Sequence, residues 1–363
     1  MQESVIYGVI AIICSSFSMV SNKFIDRCFL ILFGLFVFLV SYYSQYIFVA
    51  NDLVAYEAIF NQMPYDYLDV DLARLEPFLS FLMITSKKFE LDFSGFWFIH
   101  VLLYLCIVIF AIHKNFKYTV VVLILLSSSS IFTNFSVNVI RQGMAFAILL
   151  CMIPVNKMVT NILLFILGVM IHVSFIFPAL VILFIRKRNV TEKHLMILLL
   201  SSLLFHFVDI GFLISNFFNY IPEFGPLIRL KQNLLNQETV EVRGRIYYAI
   251  TFIVAFFTLI YYRKAQEAIS RTGDNKVFFD VSFKFIVICL VLYPIFNQVG
   301  YLVRLVNYGL VLSPILLYYA LSTFFCLFSV NVNQSKVMIN ILSILYSIFF
   351  ITVYLTGSKV LLD

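Results

Sequence analysis

The stretch "NVIRQGMAFAILL" (138–150) poses the question on which the chain's architecture turns. It is apolar enough to lie in a membrane, yet Arg141 and Gln142 stand near its start. A charge at the centre of a membrane helix costs about 2.5–3.5 kcal/mol on insertion scales. An arginine at this place must therefore be paired, hydrated or functional. Gly143 and Ala147, four residues apart, let a neighbouring helix approach closely. The surroundings are of the same kind. Of 363 residues, 62% are hydrophobic and 12% charged, the mean hydropathy is +1.00, and runs such as Ile31–Val40 and Val120–Leu126 recur throughout. The expected class is an all-α polytopic membrane protein, a single integral membrane domain over residues 1–363, which excludes a soluble enzyme. The first apolar segment starts at Ser4 without a basic region before it and reads as a true helix, not a cleaved leader. The six cysteines show no CxxC or metal-ligand spacing, so neither a disulfide framework nor a zinc site is expected. A net charge of +6 informs orientation and does not call for a nucleic-acid partner.

About twelve membrane segments are expected: 4–21, 29–49, 93–112, 118–134, 136–153, 158–171, 173–185, 195–216, 246–262, 282–299, 305–328 and 337–357. They divide the loops into two alternating sets. The set 22–28, 113–117, 154–157, 186–194, 263–281 and 329–336, with flanking Lys284, holds 15 Lys and Arg and 5 acids. The other set, with both termini, holds 9 and 13. Basic loops stay in the cytoplasm, so the second set and both termini are expected to face outward. Two outward loops are long, 50–92 and 217–245. In the first, "EPFLSFLMITSKK" (76–88) reads as a short helix with Pro77 in its first turn, lying at the interface or dipping into the membrane.

Polar residues gather toward the outward face. With the fifth segment starting near Phe135, Arg141 lies roughly 9 Å below that start. The segment Met158–Ile171 is about 21 Å long as a helix, shorter than a ~30 Å hydrocarbon core. "MIHVSF" (170–175), with His172 and Ser174, therefore turns below the outer surface, where irregular backbone is tolerated only beside protein or a watery cavity. Asp52 follows the second segment and Arg304 opens the eleventh. This topology brings Asp52, Glu76, Arg141, Gln142, His172 and Arg304 near one face, and Arg141 is expected to line an outward, hydrated cavity.

Each residue also has a plainer reading. Arg141 suits a structural ion pair with Glu76 or Asp209. His172 suits a neutral imidazole bonded at a turn, Glu76 a charge offsetting a helix dipole, and Asp52 a solvated loop acid. Arg304 sits where basic side chains snorkel. His206 and Asp209 read as a buried polar pair. "DVD" (69–71) matches a metal-binding pattern of sugar transferases, but three acidic-loop residues arise easily by chance.

Four features in order resemble the EpsG/Wzy-type polysaccharide polymerases of bacterial envelopes: "NDLVAYEAIF" (51–60) with "EPFLSFLM" (76–83), "NVIRQGMAFAIL" (138–149), "MIHVSFIFPAL" (170–180) and "YLVRLVNYGLVLSPIL" (301–316). The resemblance implies an O-antigen or exopolysaccharide polymerase of the bacterial inner membrane. Such an enzyme joins oligosaccharide repeat units carried on undecaprenyl diphosphate, donor and acceptor both lipid-linked, at the periplasmic face, with a chain-length regulator as a further partner. It implies a catalytic set of His172, Glu76 and Asp52, and a diphosphate- and substrate-binding set of Arg141, Gln142, Arg304, Tyr308, Tyr56 and Ser174. The long periplasmic loop with repeated RxxxG stretches found in other polymerases has only a fragment here, "EVRGR" (241–245).

The chemistry fits these residue types. A diphosphate leaves readily once its charge is neutralised, which an arginine's planar, permanently charged fork does well. The acceptor hydroxyl needs a base, His172 or a carboxylate. Two arginines supply the electrostatics, so no metal or other cofactor is expected. The alternatives are a lipid-linked oligosaccharide flippase, against which stands the lack of a convincing internal repeat, or another membrane glycosyl- or acyltransferase of envelope polysaccharide.

Overall fold

A computed structural model describes residues 23–47, 51–67, 76–188, 190–206, 242–296, 302–328, 330, 334–335 and 337–346. Among these the chain is helical and contains no strand. In chain order the helices are α1 (Lys23–Ile47), α2 (Asn51–Gln62), α3 (Pro77–Lys88), α4 (Phe93–Asn115), α5 (Thr119–Ser127), α6 (Ser130–Val137), α7 (Ile140–Met152), α8 (Met158–Ile171), α9 (Ile176–Lys187), α10 (Glu192–Ser202), α11 (Val242–Ile260), α12 (Tyr262–Thr272), α13 (Lys276–Phe296), α14 (Val303–Leu310), α15 (Ser313–Leu327) and α16 (Val337–Tyr346).

The opening stretch becomes α7, a helix enclosed over nearly its whole length. Ile140, Gln142–Leu150 and Met152 are all buried, and α7 packs on α4, α6 and α8. Its apolar side chains run all round, as a core helix requires. Small residues let it sit this deep. A Cβ on Gly143 would collide with the backbone carbonyl of Phe135 on α6. We expect Gly143→Ala to force the α6–α7 corner apart and to cost about 1–3 kcal/mol. A melting temperature equal to the wild type in detergent would contradict this.

The expected count of about twelve spans is not confirmed among the described residues. Among the described residues, Phe93–Asn115, Lys276–Phe296 and Val303–Leu327 are long and apolar enough to cross a membrane. Counting two bent pairs raises the number to five: Thr119–Ser127 with Ile131–Val137, bent by 80°, and Tyr248–Ile260 with Tyr262–Thr272, bent by 89°. The physical reason lies in the apolar runs themselves. They are broken into helices of 9, 8, 13 and 14 residues, α5 to α8. At the first break Ser127 and Ser128 turn their hydroxyls back onto the Ile124 and Leu125 carbonyls, which competes with helix propagation. Segment 4–21 and much of 195–216 and 337–357 lie outside the described residues.

The loops read as one basic set do meet each other. Asn275 donates its backbone N–H to Asn115 O at 2.9 Å, and Asp274 accepts from Lys117 N, Thr272 Oγ1 and Tyr318 Oη, each at 2.7 Å. Loops 113–117 and 263–281 are thereby clasped. Arg186 donates to the Met152 and Ile153 carbonyls at 2.6 Å each and to Asn161 Oδ1 at 2.9 Å. A cation there complements the C-terminal dipole of α7. Arg141 and Arg186 thus mark opposite ends of α7, separated by about 18 Å of helix.

Candidate functional site

The site forms at the N-terminal end of α7 from five separate parts of the chain. Glu76 comes first, because its dipeptide fixes its place. A residue before proline is pushed to extended backbone, and Glu76 has φ −66° and ψ 146° as the N-cap of α3, with Pro77 opening the helix. The carboxylate therefore turns out of the helix. Lys87 in the last turn of α3 braces the position by donating Nζ to Asn61 O at 3.2 Å and Met63 O at 2.6 Å. This ties α3 to the end of α2, the helix that carries Tyr56. Residues 51–62, read as loop from their polarity, are this helix.

Arg141 stands in the first turn of α7, where the helix dipole disfavours a cation. Glu76 compensates: Arg141 Nη1 donates to Glu76 Oε2 at 2.6 Å. Arg141 Nε donates to Tyr56 Oη at 3.0 Å, and the guanidinium carbon lies 5.7 Å from the centre of the Tyr56 ring. The Arg141 side chain keeps 30% exposure against 16% for Glu76, so the fork reaches the open side of the pair.

His172 ends α8. Its extended backbone, φ −160° and ψ 126°, stops the helix before the 3-10 turn Val173–Phe175. Its Nδ1 lies 2.6 Å from Glu76 Oε1. A carboxylate oxygen only accepts, so Nδ1 carries the proton. In the neutral ring, Nε2 then presents a lone pair on the side away from Glu76. Both oxygens of one carboxylate are engaged, one by a guanidinium and one by an imidazole.

Ser174 Oγ and Tyr308 Oη lie 3.0 Å apart, which joins the 3-10 turn to α14. Gln142, 1% exposed, donates Nε2 to the backbone carbonyl of Arg304. Gln142 thus faces inward, and its amide locks α14 against α7 one residue from Arg141. Arg304 and Tyr308 are four apart on α14 and share a face. Asp52 lies in the first turn of α2, one turn before Tyr56; its side chain is outside the described residues. The structure therefore brings Tyr56, Glu76, Arg141, Gln142, His172, Ser174 and Tyr308 together, with Arg304 held beside them by its backbone carbonyl. The ion-pair reading of Arg141 is realised with Glu76. Asp209, "DVD" (69–71) and most of 217–245 fall outside the described residues. Among the described residues no three His, Cys, Asp or Glu are grouped to hold a metal ion. Lys87 escaped the sequence reading, since a lysine at a helix end has no signal of its own.

Burial works against the Glu76 carboxylate, but the His172 hydrogen bond and the Arg141 charge outweigh it and bring its pKa down to about 2. A folded-state pKa below the unfolded value stabilises the fold above the unfolded pKa and loses that contribution as pH falls through the folded one. We expect wild-type stability to drop between about pH 4.5 and pH 2. The part of that drop due to this carboxylate should be missing from Glu76→Gln. Parallel acid-unfolding curves for the two proteins would contradict it.

No curated relative and no solved structure matches the chain. The family model described as the EpsG family matches residues 26–361. That match takes in all four sequence features and every residue of the Arg141–Glu76–His172 array, and the chain belongs to the EpsG family.

Proposed function

We propose that this protein is a polysaccharide polymerase that joins repeat units carried on a lipid diphosphate. The observation that carries the reading is the Arg141–Glu76–His172 array within a membrane chain of the EpsG family. Arg141 and Arg304 hold the diphosphate of the donor, undecaprenyl diphosphate in a bacterial membrane, at headgroup depth. His172 Nε2 takes the proton of the acceptor hydroxyl. The acceptor oxygen bonds to the anomeric carbon of the donor glycan, and the bond from that carbon to the diphosphate oxygen breaks, the electron pair leaving with the diphosphate. Glu76 holds the ring through Nδ1 and stabilises the imidazolium without taking the proton itself, the arrangement of a carboxylate behind a general-base histidine. The site lies at the end of α7 opposite Arg186 and the clasped basic loops, and positive loops mark the cytoplasmic side. This supports a reaction at the periplasmic face of the inner membrane.

The test is direct. Purified full-length protein in lipid vesicles is given undecaprenyl-diphosphate-linked repeat units, and the products are run on a gel. A ladder of lengthening glycans is expected. Unchanged single units that have crossed the bilayer would make the protein a flippase.

A further inference from the structure

The ion pair that completes this site also stands in the way of its ligand. We propose that the Glu76 carboxylate is an internal stand-in for the donor's phosphate: it occupies Arg141 until the lipid diphosphate displaces it, and the released carboxylate then serves His172 alone. This rests on the reading above and adds the order of events to it.

The geometry of the fork is the argument. A guanidinium grips a phosphate through two parallel N–H bonds, either from Nη1 with Nη2 or from Nε with Nη2. Arg141 has Nη1 on Glu76 Oε2 at 2.6 Å and Nε on Tyr56 Oη at 3.0 Å. Among the described residues Nη2 has no hydrogen bond. Two of the five N–H donors are thus engaged, and a bidentate phosphate either shares Nη1 with Glu76 Oε2 or meets Tyr56 Oη at Nε. Tyr56 is neutral, and its hydroxyl can turn from acceptor to donor. Glu76 is an anion, and a phosphate oxygen beside it would set two negative groups on one cation. The carboxylate is the group that yields.

It has somewhere to go. Oε1 already lies 2.6 Å from His172 Nδ1, so loss of Arg141 does not leave a buried charge without a partner. While the guanidinium shares the carboxylate, its positive charge opposes a second cation on the imidazole. Once the diphosphate has claimed Arg141, the full carboxylate charge faces His172. The proton from the acceptor hydroxyl is then accepted at Nε2 more readily. Base strength is coupled to donor occupancy, a coupling between two ligands' sites through one shared side chain. Deprotonation without a donor in place is disfavoured, which limits idle turnover.

The experiment uses inorganic pyrophosphate as the probe, titrated calorimetrically into the purified full chain. Glu76→Gln keeps the side-chain shape and removes the charge. It is expected to bind pyrophosphate at least tenfold more tightly than the wild type while forming polymer at least tenfold more slowly. Equal or weaker binding by Glu76→Gln would overturn the proposal, since Glu76 would then be part of the phosphate site. Tighter binding that persists when Arg141→Ala is added would overturn it too, because the gain would come from elsewhere. Should Glu76→Gln not fold, isotope-edited infrared difference spectra of the wild type with labelled glutamate give the same answer. A shifted carboxylate band on adding pyrophosphate supports the exchange, and an unchanged one rejects it. Failure of the polymerase reading would show separately, as tight pyrophosphate binding by a protein that makes no ladder.

Discussion

Arg141→Ala is expected to lower polymer formation by on the order of 10²–10³-fold, the usual loss when a preorganised donor to developing negative charge is removed, while the amount of protein in the membrane stays near wild type. Two facts separate these effects. The guanidinium belongs to the more exposed partner of the pair, with 30% of its side chain exposed, so activity depends on it. The Glu76 carboxylate keeps His172 as a partner after the arginine is gone, so the fold loses less than the ~3–5 kcal/mol typical when one half of a buried pair is removed. Arg141→Lys restores the charge without the fork. One ammonium does not reproduce the Tyr56 and Glu76 geometry and grip a phosphate by two points as well, so only a small part of the activity should return. Glycan ladders and immunoblots of membranes from the two variants measure both sides. Wild-type chain lengths in Arg141→Ala would remove the arginine from the mechanism.

The site residues were visible in the sequence because each breaks a local rule. An arginine inside an apolar helix, a glutamate forced extended by a following proline, and a histidine at the end of a helix too short to span a bilayer are each costly unless something compensates. Their partners were not visible. Glu76 and Asp209 were both open to Arg141, and only the packing of α3 on α4 and α8 brings Glu76 to it, 65 residues away along the chain. Gln142 looked like a ligand-binding amide beside Arg141. A helix turns 100° per residue, and that step sends its side chain inward to the Arg304 carbonyl, 162 residues further on.

The helical class was legible from composition alone. The straightness of the apolar runs was not. Hydropathy measures whether a run is apolar and says nothing of whether it stays straight. The Ser127–Ser130 corner and the 80° bend after α5 break the expected span 118–134 into short packed helices. Burial has the same origin in this region: α5 has Thr119 to Leu126 buried in unbroken order, so its apolar side chains meet protein on every side where lipid was expected. The polar stretch 51–62 errs the other way. It folds as a helix because Tyr56, Phe60 and Leu53 are buried at helical spacing, a weak stripe that its acids and amides conceal.

His172→Ala carries the second large effect, and it differs in kind from the first. Removing a general base typically costs about 10²–10⁴ in rate, and the loss should fall on turnover more than on the KM for lipid-linked donor, which rises only through the partner that Glu76 loses. The reason is that the imidazole contacts Glu76 through Nδ1 and reaches substrate only through Nε2, which meets the acceptor hydroxyl and not the diphosphate. Structure should survive the change: Glu76 retains Arg141, and His172 lies at the C-cap of α8, where any residue adopts the extended backbone it has. Imidazole added to the medium should restore part of the turnover, because the alanine leaves room for a free base beside an intact carboxylate. That rescue is something a merely structural histidine would not show. Undiminished turnover by purified His172→Ala, or a raised donor KM with unchanged turnover, would move the base elsewhere. Asp52, one turn before Tyr56 on α2, would then be the next residue to replace.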